Sequence, residues 1–354
     1  MNKAVVVLCP GRGSYTASEL GYLSRPVQAA VLSELNAAID RSDGLRTARG
    51  DLTIRGMDGA RTFSPEFFRG ENASGLTFAC TAFDFLRLDD TELDIVAVGG
   101  NSMGWYSALF AAGVFGLDDA FDLVETMGGM LQNGQIGGQV IYPLVDDDWR
   151  AEPGRAAAAA TALESVREAG HQAGWSIRYG GYAVLWADAD GLPLLLGELP
   201  PVKNAEMKYP LELPGHSAFH SSLMLPVSER ALDQLSSLPW RPPSIPLIDG
   251  RGCRWHPLGT DPAALCRYTL ETQVLEPYDF SASVRVALRE YAPDAFVLLG
   301  PGDALGAAVA HAVIAERWQG IDSREAFVER QEDDPLLISL GRAEQAALVT
   351  LPTA

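Results

Sequence analysis

The chain has 354 residues, of which 47% are hydrophobic and 21% are charged, a composition typical of a globular protein with one or two domains. The formal net charge of −19 argues against a nucleic-acid-binding protein, because no basic surplus is available to neutralise phosphates. The four cysteines form no CxxC pair and have no zinc-type spacing with histidines. We therefore expect neither disulfides nor a bound metal ion.

The N-terminal apolar run Ala4–Leu8 is too short for a signal peptide or a membrane span, so it predicts a buried strand. We expect a cytoplasmic protein without a membrane partner. The first half continues with a strand at Leu93–Val98 and with segments of helical spacing. The predicted helices are Pro26–Ile39, Leu76–Leu86, Met103–Ala112 and Asp118–Gln132. Alternating strands and helices predict the α/β class, with a mostly parallel sheet covered by helices on both faces.

The middle of the chain has a different pattern, in which short strands surround the Ala-rich helix Pro153–Gly170. The predicted strands are Val140–Leu144, Ser176–Tyr179, Tyr182–Trp186 and Leu192–Leu196, with a hairpin turn at Asp188–Gly191 before the last one. We therefore predict a small α+β subdomain of ferredoxin-like type over residues 138–210. It is inserted into a large domain formed by residues 1–137 and 211–318, and residues 319–354 form a C-terminal extension.

The strongest chemical signal is the pentapeptide Gly100-Asn101-Ser102-Met103-Gly104, which fits the G-x-S-x-G pattern of a nucleophile elbow. A predicted strand ends directly before it and a predicted helix begins directly after it. A tight strand-to-helix turn exposes the serine hydroxyl next to main-chain N–H groups that can stabilise an oxyanion. The pattern predicts Ser102 as a nucleophile, although a small-residue turn with Ser102 as a helix cap also fits it.

A serine nucleophile needs a base, and the chain has five histidines. His216 and His220 share one segment at the point where the predicted insertion returns to the large domain, which is a natural place for a cleft. Spacing alone does not choose between these two residues.

Four separated segments resemble the malonyl-CoA:acyl-carrier-protein transacylase family, which also supplies the acyltransferase domains of polyketide synthases. The resemblance covers roughly residues 4–310 and rests on Leu8–Ser14, Gly100–Val114, Ala218–Met224 and Leu298–Gly302. It implies an acyltransferase of fatty acid or polyketide biosynthesis that forms a Ser102 acyl-enzyme. The substrates would be thioesters of coenzyme A or of the phosphopantetheine on an acyl-carrier protein, and no separate cofactor would be needed.

The resemblance also implies residue roles. His220 would be the base, oriented by a main-chain carbonyl or an amide side chain, and Gln273 would touch the Ser–His pair or the acyl group. The oxyanion hole would consist of the main-chain N–H groups of Arg12 and Met103.

The chain departs from the family pattern at three positions. Asn101 replaces the histidine of the elbow, Arg12 replaces a glutamine, and Met127 replaces the arginine that pairs with the malonyl carboxylate. A buried carboxylate without its partner is costly, so we expect an uncharged acyl group to be favoured over malonyl. The alternative is that Arg12, Arg87 or Arg150 binds the carboxylate instead.

Other functions remain open at this point. The same Ser–His site could hydrolyse acyl thioesters, and the altered motif residues would also fit a non-catalytic docking member of the family. An unrelated esterase of the α/β-hydrolase type fits less well, because that fold requires an acid between the serine and the histidine. An acidic carrier protein would need a local basic patch, for which the candidates are Lys203, Lys208, Arg251 and Arg254.

Overall fold

The computed structural model describes residues 2–27, 32–132, 134–204 and 207–351. The strands, in chain order, are β1 (Lys3–Cys9), β2 (Leu93–Gly100), β3 (Gly138–Pro143), β4 (Ala173–Tyr179), β5 (Tyr182–Ala187), β6 (Val202–Asn204), β7 (Met207–Tyr209), β8 (Leu211–Glu212), β9 (Leu247–Ile248), β10 (Arg254–Trp255), β11 (Tyr278–Asp279), β12 (Ala295–Leu298) and β13 (Leu337–Ser339).

The α-helices, in chain order, are α1 (Ser33–Arg49), α2 (Ile54–Asp58), α3 (Gly70–Leu86), α4 (Gly104–Ala111), α5 (Leu117–Gly129), α6 (Pro153–Glu168), α7 (Gly191–Glu198), α8 (Leu225–Leu235), α9 (Pro262–Arg267), α10 (Gln273–Leu275), α11 (Phe280–Val286), α12 (Leu305–Ala315), α13 (Arg324–Asp333) and α14 (Ala343–Ala346). A π-helical stretch, Tyr268–Thr272, joins α9 to α10. No helix in the described ranges is long and apolar enough to cross a membrane.

The large sheet has six strands in the order β10-β9-β2-β1-β12-β13. All neighbours are parallel except β10, which is antiparallel to β9. The central strand β1 is apolar after Lys3, and Val5, Val6 and Val7 are completely buried. Continuous apolar strands are typical of parallel sheets that are covered on both faces. The predicted α/β class is confirmed.

The second sheet has the order β11-β4-β5-β3-β8. Its main part follows the chain order β3, α6, β4, β5, α7, β8, which is the β-α-β-β-α-β connectivity of ferredoxin-like folds. One face carries a separate hydrophobic cluster with α6 and α7, whereas Ile177 and Val184 belong to the core of the large domain. This sheet therefore packs one face on its own helices and turns the other face toward the large domain.

One predicted strand is wrong, because Leu192–Leu196 lies in the helix α7. A short, continuous apolar run has no periodicity that separates a strand from a buried helix. The predicted hairpin turn is wrong for the same reason. Asp188 accepts the main-chain N–H of Gly191 at 2.7 Å, at the point where the helix begins.

The C-terminal segment also differs from the expectation of an extension. The strand β13 pairs with β12 in parallel register at the edge of the large sheet, and its flanking residues Leu336 and Leu340 are completely buried. The segment is part of the large domain because its short apolar run completes the sheet. Residues 28–31 of the predicted helix Pro26–Ile39 lie outside the described residues, and the described helix begins at Ser33.

Candidate active site

Ser102 occupies the turn between β2 and α4, in a backbone conformation that few side chains adopt. Its φ is 55°, in the left-handed region. The glycines on either side allow the turn to form, since a Cβ at Gly100 would lie 2.2 Å from the main-chain oxygen of Gly104. A Cβ at Gly104 would lie 2.2 Å from the oxygen of Cys9 on β1. The two glycines thus allow the helix to begin against the sheet, with the serine hydroxyl at the tip.

His220 lies against Ser102, with Nε2 at 2.7 Å from the serine Oγ. Its Nδ1 lies 2.6 Å from the main-chain oxygen of Gln273. A carbonyl oxygen can only accept, so Nδ1 carries the proton and Nε2 is free to accept one from the serine. Burial lowers the pKa of His220 to about 4, although the hydrogen bond to Gln273 opposes this shift. The imidazole is therefore neutral near pH 7, as a general base must be.

The structure distinguishes between His216 and His220, the two histidines that the sequence offered as a base for Ser102. His216 Nδ1 lies 3.0 Å from the side-chain oxygen of Gln139, and burial together with the charge of Arg12 lowers its pKa to about 3. His216 lines the same cavity as His220 but bonds to the small sheet instead of the serine. Of the two, His220 has the geometry of a base for Ser102.

A cavity of about 750 Å³ between the two sheets contains the site. The resemblance to the family singled out seven residues for the site, and all seven line this cavity: Arg12, Asn101, Ser102, Met103, Met127, His220 and Gln273. Three side chains at the cavity present shielded polar atoms without hydrogen-bond partners among the described residues, namely Arg12 Nε, Asn101 Oδ1 and Gln273 Nε2. Buried polar atoms are nearly always paired in a complete complex, so these atoms are suited to contact a bound ligand.

The two main-chain N–H groups expected to form an oxyanion hole lie at the same cavity. Met103 directly follows Ser102 and precedes the first residue of α4, and Arg12 lies in the loop after β1. Neither N–H donates a hydrogen bond within the ranges that the structure describes. Both are free to donate to an oxyanion, and that role stays a prediction.

The Arg12 side chain holds the loop that carries His220. Its Nη2 donates to the main-chain oxygen of Gly215, and its guanidinium lies 5.2 Å from the centre of the Phe219 ring. Burial lowers the pKa of Arg12 to about 10, against the opposing charge of Glu71. Its Nε is shielded from solvent and has no acceptor in the described part of the chain. Only Nη2 has an acceptor among the described residues, so Nε and Nη1 of Arg12 can both donate to a ligand.

Some contributors to the site have no motif in the sequence. Tyr278 donates its hydroxyl hydrogen to the main-chain oxygen of Gly100, which ties the elbow to β11. Gln139 on β3 donates to Ser176 Oγ at 2.6 Å while it contacts His216. The alternation of β3 indicates which residues share a face with Gln139, but only the packing shows that this face points toward the cavity.

No protein-family model matches the sequence. The chain is 30% identical over 210 residues to the polyketide synthase GfsB of Streptomyces halstedii, a match covering 59% of this chain and 4% of that protein. It is 27% identical over 212 residues to the malonyl CoA-acyl carrier protein transacylase of Bacillus subtilis, covering 59% of this chain and 62% of that one. The chain thus spans less than two thirds of each of these curated relatives.

The chain thus has an α/β fold that carries a Ser–His pair at a strand-to-helix elbow. An acyl carrier protein S-malonyltransferase from Vibrio cholerae has the same fold, with a TM-score of 0.67, 22% identity and coverage of 88% of this chain and 94% of that one. In sequence and in fold the chain is therefore similar to malonyl-CoA:acyl-carrier-protein transacylases and to a polyketide synthase, so the predicted resemblance is confirmed.

Proposed function

We propose that the protein is an acyltransferase that moves an acyl group between thioesters of coenzyme A and of acyl-carrier protein through an ester of Ser102. The observation that carries the proposal is the continuous hydrogen-bond chain from Ser102 Oγ to His220 and on to the main-chain oxygen of Gln273. These two hydrogen bonds hold His220 beside Ser102 with its proton on Nδ1, so no carboxylate is needed to orient the base.

In the first half-reaction, His220 Nε2 takes the proton of Ser102 as Oγ attacks the thioester carbonyl carbon. The main-chain N–H groups of Arg12 and Met103 donate to the oxyanion. The tetrahedral intermediate collapses, the carbon–sulfur bond breaks, and the protonated His220 gives its proton to the leaving thiolate. In the second half-reaction an acceptor thiol passes its proton to His220 and attacks the ester carbonyl carbon. The bond from this carbon to Ser102 Oγ then breaks, and His220 returns the proton to Oγ.

The acyl group that we propose is uncharged. Met127 lies half-buried in the cavity wall, where the family has an arginine for the malonyl carboxylate. Two arginines considered as substitutes are not available: Arg87 is buried in an ion pair with Asp84 at 2.8 Å, and Arg150 does not line the cavity. Arg12 donates one hydrogen bond to Gly215 and keeps Nε and Nη1 free to bind a carboxylate, so malonyl is the alternative that an experiment must exclude.

The acceptor that we propose is the pantetheine arm of an acyl-carrier protein, as the name of the Bacillus subtilis relative indicates for that protein. Of the four basic candidates, Arg251 and Arg254 pair with Asp249 and Glu290. Lys203 and Lys208 are exposed and directly opposite each other on the β6–β7 hairpin, and neither has an ion pair among the described residues. Like charges placed face to face are unfavourable unless an acidic partner covers them.

The proposal is tested by intact-mass analysis after the protein is mixed with malonyl-, acetyl-, medium-chain and long-chain acyl-CoA. Ser102→Ala is the control, and a holo acyl-carrier protein is added in a chase. We expect an adduct from an uncharged acyl-CoA that is absent in Ser102→Ala and is discharged onto the carrier. A malonyl adduct alone would contradict the proposed preference, and fast loss of the acyl group to water without a carrier would indicate a hydrolase. If neither acyl-CoA nor carrier-bound donors form an adduct, the acyltransferase proposal fails and a non-catalytic role remains.

A further inference from the structure

Three aliphatic side chains form a continuous row across the small sheet on the face that looks into the cavity. Ile141 on β3 pairs with Val184 on β5, and Val184 pairs with Ile177 on β4. Paired residues on neighbouring strands point to the same face, so the three side chains are adjacent. All three line the cavity that contains Ser102.

This row belongs to the opposite face from the small sheet's own core. The neighbouring Val140 and Leu185 are completely buried against α6 and α7 in a separate cluster, whereas Ile177 and Val184 belong to the large-domain cluster. The strands therefore have two apolar faces. One stabilises the subdomain, and the other forms an apolar wall of the cavity.

Methionines of the large domain contribute further apolar surface to the cavity. Met103, Met127 and Met130 line it, which is three of the seven methionines in the chain. Methionine is unbranched and flexible, so such a wall adapts to apolar ligands of different shape. Met127 itself stands where the family resemblance implies an arginine that would bind a malonyl carboxylate.

From this arrangement we infer that the cavity accepts an aliphatic acyl chain of medium length, which lies along the Ile141–Val184–Ile177 row. The inference rests on the proposed function and narrows its substrate class. Neighbouring strands are about 4.8 Å apart, so the row spans about 10 Å, the extended length of an acyl chain of about eight carbons. A short acyl group would leave most of this apolar surface in contact with water.

The expected effect on selectivity follows from the apolar area that each methylene removes from water. Burial of one methylene corresponds to a gain of about fourfold in kcat/KM, if the chain is in contact with the row in the transition state. The selectivity should rise from acetyl through butyryl and hexanoyl to octanoyl and then level off, because longer chains extend beyond the row.

The experiment measures kcat/KM for transfer from acetyl-, butyryl-, hexanoyl-, octanoyl- and dodecanoyl-CoA to a holo carrier protein. Val184→Phe places a bulky ring in the middle of the row and should lower the octanoyl-to-acetyl ratio at least tenfold. Val328→Phe is the matched control, since Val328 is 45% exposed on α13 and does not line the cavity, and it should leave the ratio unchanged. Ile141→Ala enlarges the cavity and should shift the chain length at which kcat/KM levels off to longer acyl groups. It serves as the second variant if Val184→Phe does not fold.

Equal kcat/KM for acetyl and octanoyl in the unchanged protein would overturn the inference while leaving the acyltransferase intact. The inference would also be overturned if neither Val184→Phe nor Ile141→Ala altered the dependence of kcat/KM on chain length, provided that circular dichroism shows both variants to be folded. Calorimetric binding to Ser102→Ala separates the two proposals, because it requires no chemistry. If octanoyl-CoA binds no more tightly than acetyl-CoA, the proposed binding of the acyl chain along the row is wrong. If octanoyl-CoA binds more tightly but the unchanged protein transfers no acyl group, only the proposed acyltransferase activity is wrong.

Discussion

Ser102 Oγ and His220 Nε2 lie 2.7 Å apart, and both residues have φ in the left-handed region, at 55° and 58°. For a residue with a Cβ, this conformation is roughly 1–2 kcal/mol higher in energy than the right-handed one. Two such residues in contact indicate that the surrounding packing imposes the backbone at both positions. Backbone strain concentrated at a functional pair is typical of active sites.

The strain at Ser102 predicts an unusual order of stability among its variants. Ser102→Gly should be more stable to unfolding than Ser102→Ala by about 1 kcal/mol, because glycine adopts positive φ without a steric cost. Ser107 is the control, since it is buried inside α4. There the glycine variant should be less stable than the alanine variant by about 1 kcal/mol. Urea denaturation of the four variants measures both differences, and a Ser102 pair in the order of the Ser107 pair would contradict strain at the elbow.

The lowered pKa of His220 predicts the pH dependence of Ser102 acylation. Burial disfavours the imidazolium, so the neutral base persists down to a pKa of about 4. The rate constant for acylation should be nearly constant from pH 8 to pH 6 and fall about tenfold per pH unit below pH 4. Stopped-flow measurement with the preferred acyl-CoA tests this, and circular dichroism at each pH confirms that the protein stays folded. A decrease centred near pH 6.5 would show that His220 titrates like an exposed histidine.

An arginine at position 127 could pair with the carboxylate of a malonyl group and should change which acyl group the protein prefers. We expect Met127→Arg to raise the ratio of malonyl to acetyl kcat/KM by about 10- to 100-fold, the value of one hydrogen-bonded charge pair. Met127→Leu keeps the wall apolar and should leave the ratio near that of the unchanged protein. If malonyl-CoA is already the preferred donor and only Arg12→Gln abolishes this preference, Arg12 binds the carboxylate and the proposed uncharged acyl group is wrong.

The opposed lysines predict a defect confined to the carrier protein. Lys203→Ala/Lys208→Ala should raise the KM for the carrier about threefold to tenfold at low salt, with little change at high salt, since exposed charges are screened. Acylation of Ser102 by acyl-CoA should be unaffected. Arg267→Glu on α9 changes the net charge by the same amount at an exposed residue that does not line the cavity. An equal rise in KM for this control would indicate a general charge effect instead of a docking site on the hairpin.

The predicted class and the position of Ser102 depend on local features. The apolar runs Ala4–Leu8 and Ile95–Val98 indicate buried strands of a parallel sheet, and the glycines of the pentapeptide Gly100–Gly104 indicate a tight turn. The short apolar segments were less informative. Leu192–Leu196 forms a helix and Leu337–Ser339 forms an edge strand, because tertiary contacts select the structure of a run that is too short to show a period.

The sequence by itself determined the α/β fold class, the elbow serine and the two candidate histidines, because local periodicity and turn chemistry are encoded in neighbouring residues. The tertiary structure decided what depends on distant residues: that His220 contacts Ser102 across 118 positions, and that the Gln273 carbonyl holds His220. It also decided that His311 on α12 is buried, where its Nδ1 accepts the Gly181 N–H. Contacts between segments far apart in the chain arise from packing of whole elements, which no local pattern specifies.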